Sequence, residues 1–401
     1  MKPVPLRWVI AALLFFSTVI NYIDRQTLSI VAPILTKEMN LSAIEYSNIL
    51  NGFLIAYTLM YLGSGWLVDR WGTRVSLAVF IAWWSASNML HGFAGNGLHI
   101  GIFRVMLGLG ESGNFMAAIK VISEWYPAKE RAFVNGLVNA GASVGAIIAP
   151  PAVMWIVLRY GWRTAFVATG ALGFVWLAAW LLIYRVPPLP EAAAKQQRAS
   201  WGSLLKYPQT WGLLLGRFLS DPVWWFYLFW LPKYLVEKRG FTMIEMGMLA
   251  WMPYLSADFG AIFGGLLSGY LIKRGWSVLA ARSAGMWPFA AIMPVSILIA
   301  YTPSREVALA LICLVTFAHM AWKTNIMTIT NDIYPLRVVG SVSGIVAFGN
   351  GVGGTLFTFL TGIIVQHFSY NAIFIMMGFM HPISYLMFRA LVKKPVEEVT
   401  E

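Results

Sequence analysis

Runs of about twenty apolar residues, bounded by charged or Pro/Gly-marked turns, recur along the whole of this sequence. A helix of that length crosses the roughly 30 Å hydrocarbon core of a bilayer, where every backbone N–H and C=O must be satisfied within the segment. Composition agrees: 59% of the 401 residues are hydrophobic and 11% are charged, against roughly 25% charge in a soluble domain. The chain is therefore an all-α polytopic membrane protein. The first apolar segment is too long for the core of a signal peptide, and no small-residue cleavage site follows it, so it is expected to remain as the first span. The single cysteine, Cys313, excludes an intramolecular disulfide. A formal net charge of +12 is scattered between spans rather than gathered in one patch, as the positive-inside rule demands, and no nucleic-acid partner is expected.

Twelve spans are predicted, at roughly 7–36, 44–70, 73–94, 97–126, 129–158 and 161–184, then 207–235, 243–273, 277–301, 306–334, 337–367 and 370–391. Lys and Arg concentrate on the connections that include Arg70, Arg74, Lys129, Arg131, Lys273 and Arg274, which places those connections and both termini in the cytoplasm. The longest polar connection, "RVPPLPEAAAKQQRASWGSLLKYP" from Arg185, reads as a cytoplasmic linker. The expected organisation is a six-helix half over 1–187, a linker over 188–206 and a second six-helix half over 207–401.

The halves resemble each other. "WYPAKERAFVNGLVNAGASVGA" aligns without gaps on "IYPLRVVGSVSGIVAFGNGVGG", placing Gly136, Gly141 and Gly145 on Gly344, Gly349 and Gly353, and Phe166 on Phe374 beyond the next turn. Recurrent glycines let membrane helices pack closely. Parallel six-helix repeats place a binding site at mid-membrane between the halves and rock about it.

Charge inside the spans then stands out. Asp24 and Arg25 lie in span 1, Arg104 and Glu111 in span 4, Arg217 and Asp221 in span 7, Asp258 in span 8 and Lys323 in span 10. Each costs about 2.5–3.5 kcal/mol at the bilayer centre, so four on spans 1 and 4 would cost roughly 10 kcal/mol facing lipid. They must pair or line water. Asp24 and Arg25 are neighbours in sequence, point about 100° apart, and so seek different partners. Arg104 and Glu111 are two turns apart and share a face. One reading is a structural ion-pair cluster. The other is an anion site plus a proton site, in which Arg25 or Arg104 holds an acidic substrate while Asp24 and Glu111 exchange a proton. Arg217 and Asp221, at i,i+4, are expected to pair, and Asp258 is a candidate partner for Lys323. Tyr57 offers a phenol in mid-span, and "PVWWFYLFW" from Pro222 offers rings for packing or for stacking on a sugar. The five histidines show no metal spacing.

At the turn after span 2, "GWLVDRWGTR" resembles the loop between spans 2 and 3 of the major facilitator superfamily; its Asp69, Arg70 and Arg74 match the gating positions of that loop. "GLLSGYLIKRG" in the second half keeps Gly265 and Leu267 but has Gly269 in place of Asp. Within that superfamily, "NYIDR", "FRVMLGLGESGNF" and "SVSGIVAFGNGVGG" resemble the anion:cation symporter family. Its hexuronate branch is matched by "GAIIAPP", "GWRTAFVATGALGFVWL" and "DPVWWFYLFWLPKYL".

The resemblance implies proton-driven uptake of a sugar acid, with no cofactor and no need of more than a monomer, across the cytoplasmic (inner) membrane. By position it implies that Arg25 and Arg104 bind the substrate carboxylate and that Asp24 and Glu111 couple the proton. Tyr57 and Asn350 would contact hydroxyls or the carboxylate. Ala142 stands where galactonate transporters carry glutamine, which argues against a galactonate-type contact. Lys323, in "AHMAWKTN", is atypical and either binds a second acidic group or pairs with Asp258. Another organic anion, such as an aldonate, aldarate or aromatic carboxylate, is the alternative substrate; a transporter-like sensor is the non-transport alternative. No metal-ligand cluster, nucleophile elbow or phosphate loop suggests an enzyme.

Overall fold

A computed structural model describes residues 6–126, 128–185 and 201–396. Its helices are α1 (Leu6–Glu38), α2 (Ala43–Leu90), α3 (Gly97–Glu111), α4 (Gly113–Trp125) and α5 (Ala128–Ile183). They continue as α6 (Trp201–Leu204), α7 (Pro208–Ser220), α8 (Pro222–Arg239), α9 (Met243–Leu249) and α10 (Met252–Lys273). The last are α11 (Val278–Ile292), α12 (Ser296–Tyr301), α13 (Arg305–Ile333), α14 (Leu336–His367) and α15 (Tyr370–Leu391). Eight helical stretches among the described residues are long and apolar enough to cross a membrane, one of them, Val134–Ile183, of 50 residues.

Two helices are each long enough for two crossings, and each is bent at a glycine. Gly72 within α2 has φ 75° and Gly161 within α5 has φ 83°, left-handed values that a residue with a Cβ resists. The two arms of α2 flank α3: Gly108 abuts the Phe53 carbonyl and Gly110 abuts Trp84. Counting each arm as one rod, and α3–α4, α7–α8, α9–α10 and α11–α12 as one rod each, gives the twelve predicted rods. The expected linker falls outside the described residues except for α6 and the turn that follows it.

The described residues form two compact units. The first holds α1 to α5 together with Phe229–Trp251, which is the second half of α8 and all of α9. The second holds α6, α7, the first half of α8, and α10 to α15.

Within each unit the glycines of the sequence repeat do the same job. In the first, Gly141 and Gly145 of α5 lie against α1; a Cβ there would stand 2.5 Å from the Phe15 carbonyl oxygen and 2.6 Å from that of Val19. In the second, Gly349 and Gly353 of α14 lie against Leu214 and the Phe218 carbonyl of α7. Backbone meets backbone at both seams, the small-residue packing that substitutes for a hydrophobic drive inside lipid. Gly136, which the alignment treats alike, has nothing within 4 Å. Gly145→Val should therefore cost about 1–3 kcal/mol or more and lower the melting temperature in detergent, while Gly136→Ala leaves it unchanged.

A second repeated device starts α2 and α9. Ser42 Oγ accepts from the Glu45 amide at 3.1 Å and Glu45 Oε2 accepts from the Ser42 amide at 2.8 Å. Thr242 and Glu245 make the same pair of bonds at 3.1 and 2.8 Å. Each is a capping box that satisfies two helix-end donors. Outward-facing side chains such as Leu59, Val175, Leu182, Ile262 and Leu386 are exposed and apolar, as lipid-facing surfaces require.

Candidate functional site

The charges of α1 and α3 lie in the interior of the first unit: Asp24, Arg104 and Glu111 are 0% exposed and Arg25 is 2% exposed. Arg25 donates from Nε and Nη2 to Glu111 Oε2 at 2.9 and 2.7 Å. Its Nη2 also donates to Asn21 Oδ1, one turn earlier on α1, at 3.1 Å. The rings of Tyr22, Phe53 and Tyr57 enclose the guanidinium, with centroids at 4.9, 5.2 and 4.9 Å. Charge, hydrogen bonds and aromatic faces thus hold Arg25 in place.

Arg104 is placed otherwise. Nη2 donates to the Arg25 carbonyl oxygen at 3.3 Å, and Nε and Nη1 have no partner among the described residues. A fully buried guanidinium with two open N–H groups is expensive. Phe53 lies 5.9 Å from it, so one ring touches both arginines. Glu111 likewise keeps Oε1 unbonded.

Asp24 faces away from this cluster, as the 100° offset between neighbours requires. Its Oδ1 accepts from Asn88 Nδ2 at 2.7 Å, and Asn88 Nδ2 also reaches Thr169 Oγ1 at 2.8 Å. The Asp24 Oδ2 has no partner among the described residues, and neither has Trp84 Nε1. Asp24 is therefore held by one neutral donor of α2, with no ion pair among the described residues. Asn21, Asn88 and Thr169 were missed from sequence. The i,i+4 spacing of Asn21 and Arg25 was a readable signal; the other two are single polar residues in apolar runs.

The second unit carries its own polar cluster. Arg217 and Asp221 pair as expected, with Nε and Nη2 both 2.7 Å from Asp221 Oδ2. Lys323 Nζ lies 5.7 Å from the Trp224 ring centroid. The carboxylate whose charge acts on it is Asp221, in place of the candidate partner Asp258. Gly260 and Gly264 press α10 against the Phe317 and Ala321 carbonyls of α13. Asp258, two residues before Gly260, is turned about 200° from that seam. Asn350 Oδ1 accepts from Trp225 Nε1 at 3.0 Å. Of the aromatic run, Phe226 packs edge-on against Phe374 at 5.6 Å, and Trp224 stacks on His319 at 6.0 Å. His319 Nδ1 and His381 Nε2, both buried, lie 3.0 Å apart. These histidines are far apart in sequence, and no spacing announced their contact.

Tyr57, besides facing Arg25, stacks on Phe53 at 5.5 Å. Near the Gly72 bend, Arg74 Nη2 donates to the Leu181 carbonyl at 2.7 Å and Arg70 lies over the Trp66 ring at 5.2 Å. Arg74 thereby ties the second arm of α2 to the end of α5. The Asp69 side chain lies outside the described residues. Thr73 Oγ1, next to Arg74, donates to Glu124 Oε2 at 2.9 Å, joining α2 to the end of α4.

Bent membrane rods in glycine-seamed repeats enclose buried opposed charges, and the family and relatives of the chain are those of a membrane transporter. The chain belongs to the Major Facilitator Superfamily, whose family description matches residues 14–358. It is 31% identical to the hexuronate transporter of Escherichia coli (strain K12) over 417 aligned positions, covering 99% of this chain and 96% of that relative. It is 33% identical to the galacturonate transporter of Dickeya chrysanthemi over 280 positions, covering 65% of this chain and 81% of the relative. A crystal structure of a bacterial homologue of the human lysosomal transporter Spinster, inward-facing and occupied, superposes with a TM-score of 0.85 at 19% identity over the full length of both chains. That likeness is one of fold.

Proposed function

We propose that this transporter is a proton-coupled symporter of a sugar acid, a hexuronate such as glucuronate or galacturonate, which it carries into the cell across the cytoplasmic membrane by alternating access. The observation that carries the reading is the contrast between the two arginines. Arg25 is neutralised by Glu111, whereas Arg104, equally buried, keeps two N–H groups open. The open Nε and Nη1 of Arg104 lie on different edges of the guanidinium, so each offers a charge-assisted hydrogen bond to a separate oxygen of an acidic substrate. The relatives named above, a hexuronate and a galacturonate transporter, act on acids of this kind.

In this reading Arg104 takes the substrate carboxylate. Its arrival beside Arg25 competes with Glu111 for that guanidinium, and a displaced Glu111 takes up a proton. The pair of cargo anion and proton then crosses without net charge. Asp24, held by Asn88 at one oxygen and open at the other, is the second proton acceptor. Tyr57, with its ring on Arg25, and Asn350, oriented by Trp225, contact the sugar. Asp69, Arg70 and Arg74 govern the conformational change at the end of the α2 hairpin.

The test is counterflow: purified protein in liposomes preloaded with unlabelled glucuronate, with labelled glucuronate or galacturonate outside. Exchange of either acid, and none of glucose, supports the assignment. No exchange of either acid overturns it.

A further inference from the structure

We infer that the buried pair His319 and His381 is a proton-carrying site of the second unit, standing in the repeat where Glu111 stands in the first. The inference rests on the proton-coupled reading above.

The register of the glycine repeat runs well beyond the glycines. It sets α13, Arg305–Ile333, end for end on the α3–α4 rod, Gly97–Trp125, and the stretch from Leu336 to Leu391 on α5, Ala128–Ile183. In that register Arg104 falls on Ile312 and Glu111 falls on His319. The guanidinium of α3 thus has an apolar counterpart, whereas the carboxylate has a titratable one.

His319 is met by a second base from another helix. His319 Nδ1 and His381 Nε2 of α15 lie 3.0 Å apart, and both residues are 0% exposed. Trp224 of α8 stacks on His319 at 6.0 Å, and Trp322 lies edge-on to His381 at 5.6 Å. Neither outer nitrogen, His319 Nε2 or His381 Nδ1, has a partner among the described residues. A contact kept only for packing would leave two buried polar atoms idle, which is costly.

The charges around the pair are few. Arg217 of α7 and Lys323, one turn further along α13, act on His319, and Asp221 of α7 acts on His381. From α15, Tyr385 packs on Trp322 at 6.1 Å. The other described elements of the unit, α10, α11, α12 and α14, bring no charge that acts on either ring. No carboxylate is hydrogen-bonded to either imidazole among the described residues. A proton held here is therefore held by the second ring.

Two imidazoles suffice for that. With both rings neutral, one of the facing nitrogens donates and the other accepts. The donating ring then has a bare outer nitrogen, and the accepting ring carries its own proton on its outer nitrogen. A proton that binds the bare nitrogen makes that ring an imidazolium. The shared proton then crosses the 3.0 Å contact, and the second ring, now the imidazolium, releases a proton from its outer nitrogen. One proton enters, one leaves, and the two tautomers have exchanged. Each outer nitrogen thus serves to load or to discharge the pair.

The experiment is a null-point measurement in proteoliposomes held at zero membrane potential, with an inward gradient of about one pH unit. Net flux of labelled glucuronate is followed at varied internal concentrations, and the inside-to-outside ratio that stops it is read. Each coupled proton multiplies that ratio about tenfold. The variants are His319→Asn, whose amide can take the place of Nδ1, His381→Gln, whose amide can take the place of Nε2, and the two combined. These amides keep a hydrogen-bonding group at the contact and take up no proton. The expected result is a ratio about tenfold lower in each of the three, and an unchanged ratio in His99→Gln, at an exposed histidine. A wild-type ratio above one that persists unchanged in the double variant overturns the inference alone. Loss of counterflow in all three variants, with a lowered melting temperature, makes the pair structural and overturns it too. A wild-type ratio of one overturns the proton-coupled reading and this inference with it.

Discussion

Arg104→Ala abolishes substrate binding. Two charge-assisted hydrogen bonds to substrate oxygens contribute about 1.5–3 kcal/mol each, so the variant should bind a hexuronate at least about 100-fold more weakly. The fold should survive: apart from one 3.3 Å bond to the Arg25 carbonyl, the guanidinium has no hydrogen-bond partner among the described residues to lose. Isothermal titration of the purified variant, beside a melting curve, separates the two. Arg104→Lys should recover part of the affinity, because it keeps the charge and loses the fixed planar donors. Equal binding by wild type and Arg104→Ala would remove the anion site from α3. Arg25→Ala has a different expected signature: it strips Glu111 of its cation and leaves a buried carboxylate unpaired, which destabilises by about 3–5 kcal/mol. Loss of binding by Arg25→Ala is thus expected to come with a lower melting temperature, and by Arg104→Ala without one.

Asp24→Asn uncouples transport from the proton gradient. The amide keeps the size of the carboxylate and still accepts from Asn88, where the observed bond is 2.7 Å, so the local packing of α1, α2 and α5 persists. What disappears is the ability to gain and lose a proton. Counterflow, which needs no net proton movement, should stay within about threefold of wild type, whereas gradient-driven accumulation should fall about tenfold or more, towards simple equilibration. Parallel loss of both activities would instead make Asp24 a structural residue. Asn88→Ala is a useful companion, since it removes the donor without touching the acid; it should impair coupling more than exchange.

The sequence was legible where function follows from spacing along one helix. Gly141 and Gly145 sit four apart because one helix face must meet α1, and the same spacing recurs at Gly349 and Gly353 against α7. Arg217 and Asp221 pair because i and i+4 are neighbours on a helix. The divergent directions of Asp24 and Arg25 follow from helical geometry alone. Partners on other helices were illegible. Which arginine takes Glu111 depends on the rotation of α1 against α3, and the 86-residue separation of Arg25 and Glu111 carries no trace of it. Asn88, 64 residues from Asp24, and His381, 62 residues from His319, are isolated polar residues in apolar runs. Sequence offers Asp258 as a candidate partner for Lys323 only because both are charges inside spans. The Gly260–Gly264 seam, once seen, turns Asp258 away from that contact.

The central claim is that a sugar-acid anion and a proton travel together. Proteoliposomes containing purified wild type should be given labelled glucuronate or galacturonate with, and without, an imposed inward proton gradient. Accumulation above the external concentration only with the gradient, abolished by a protonophore, is the predicted result. Uptake that stops at equal concentrations on both sides whether or not a gradient is present would contradict the account and leave a facilitator in place of a symporter.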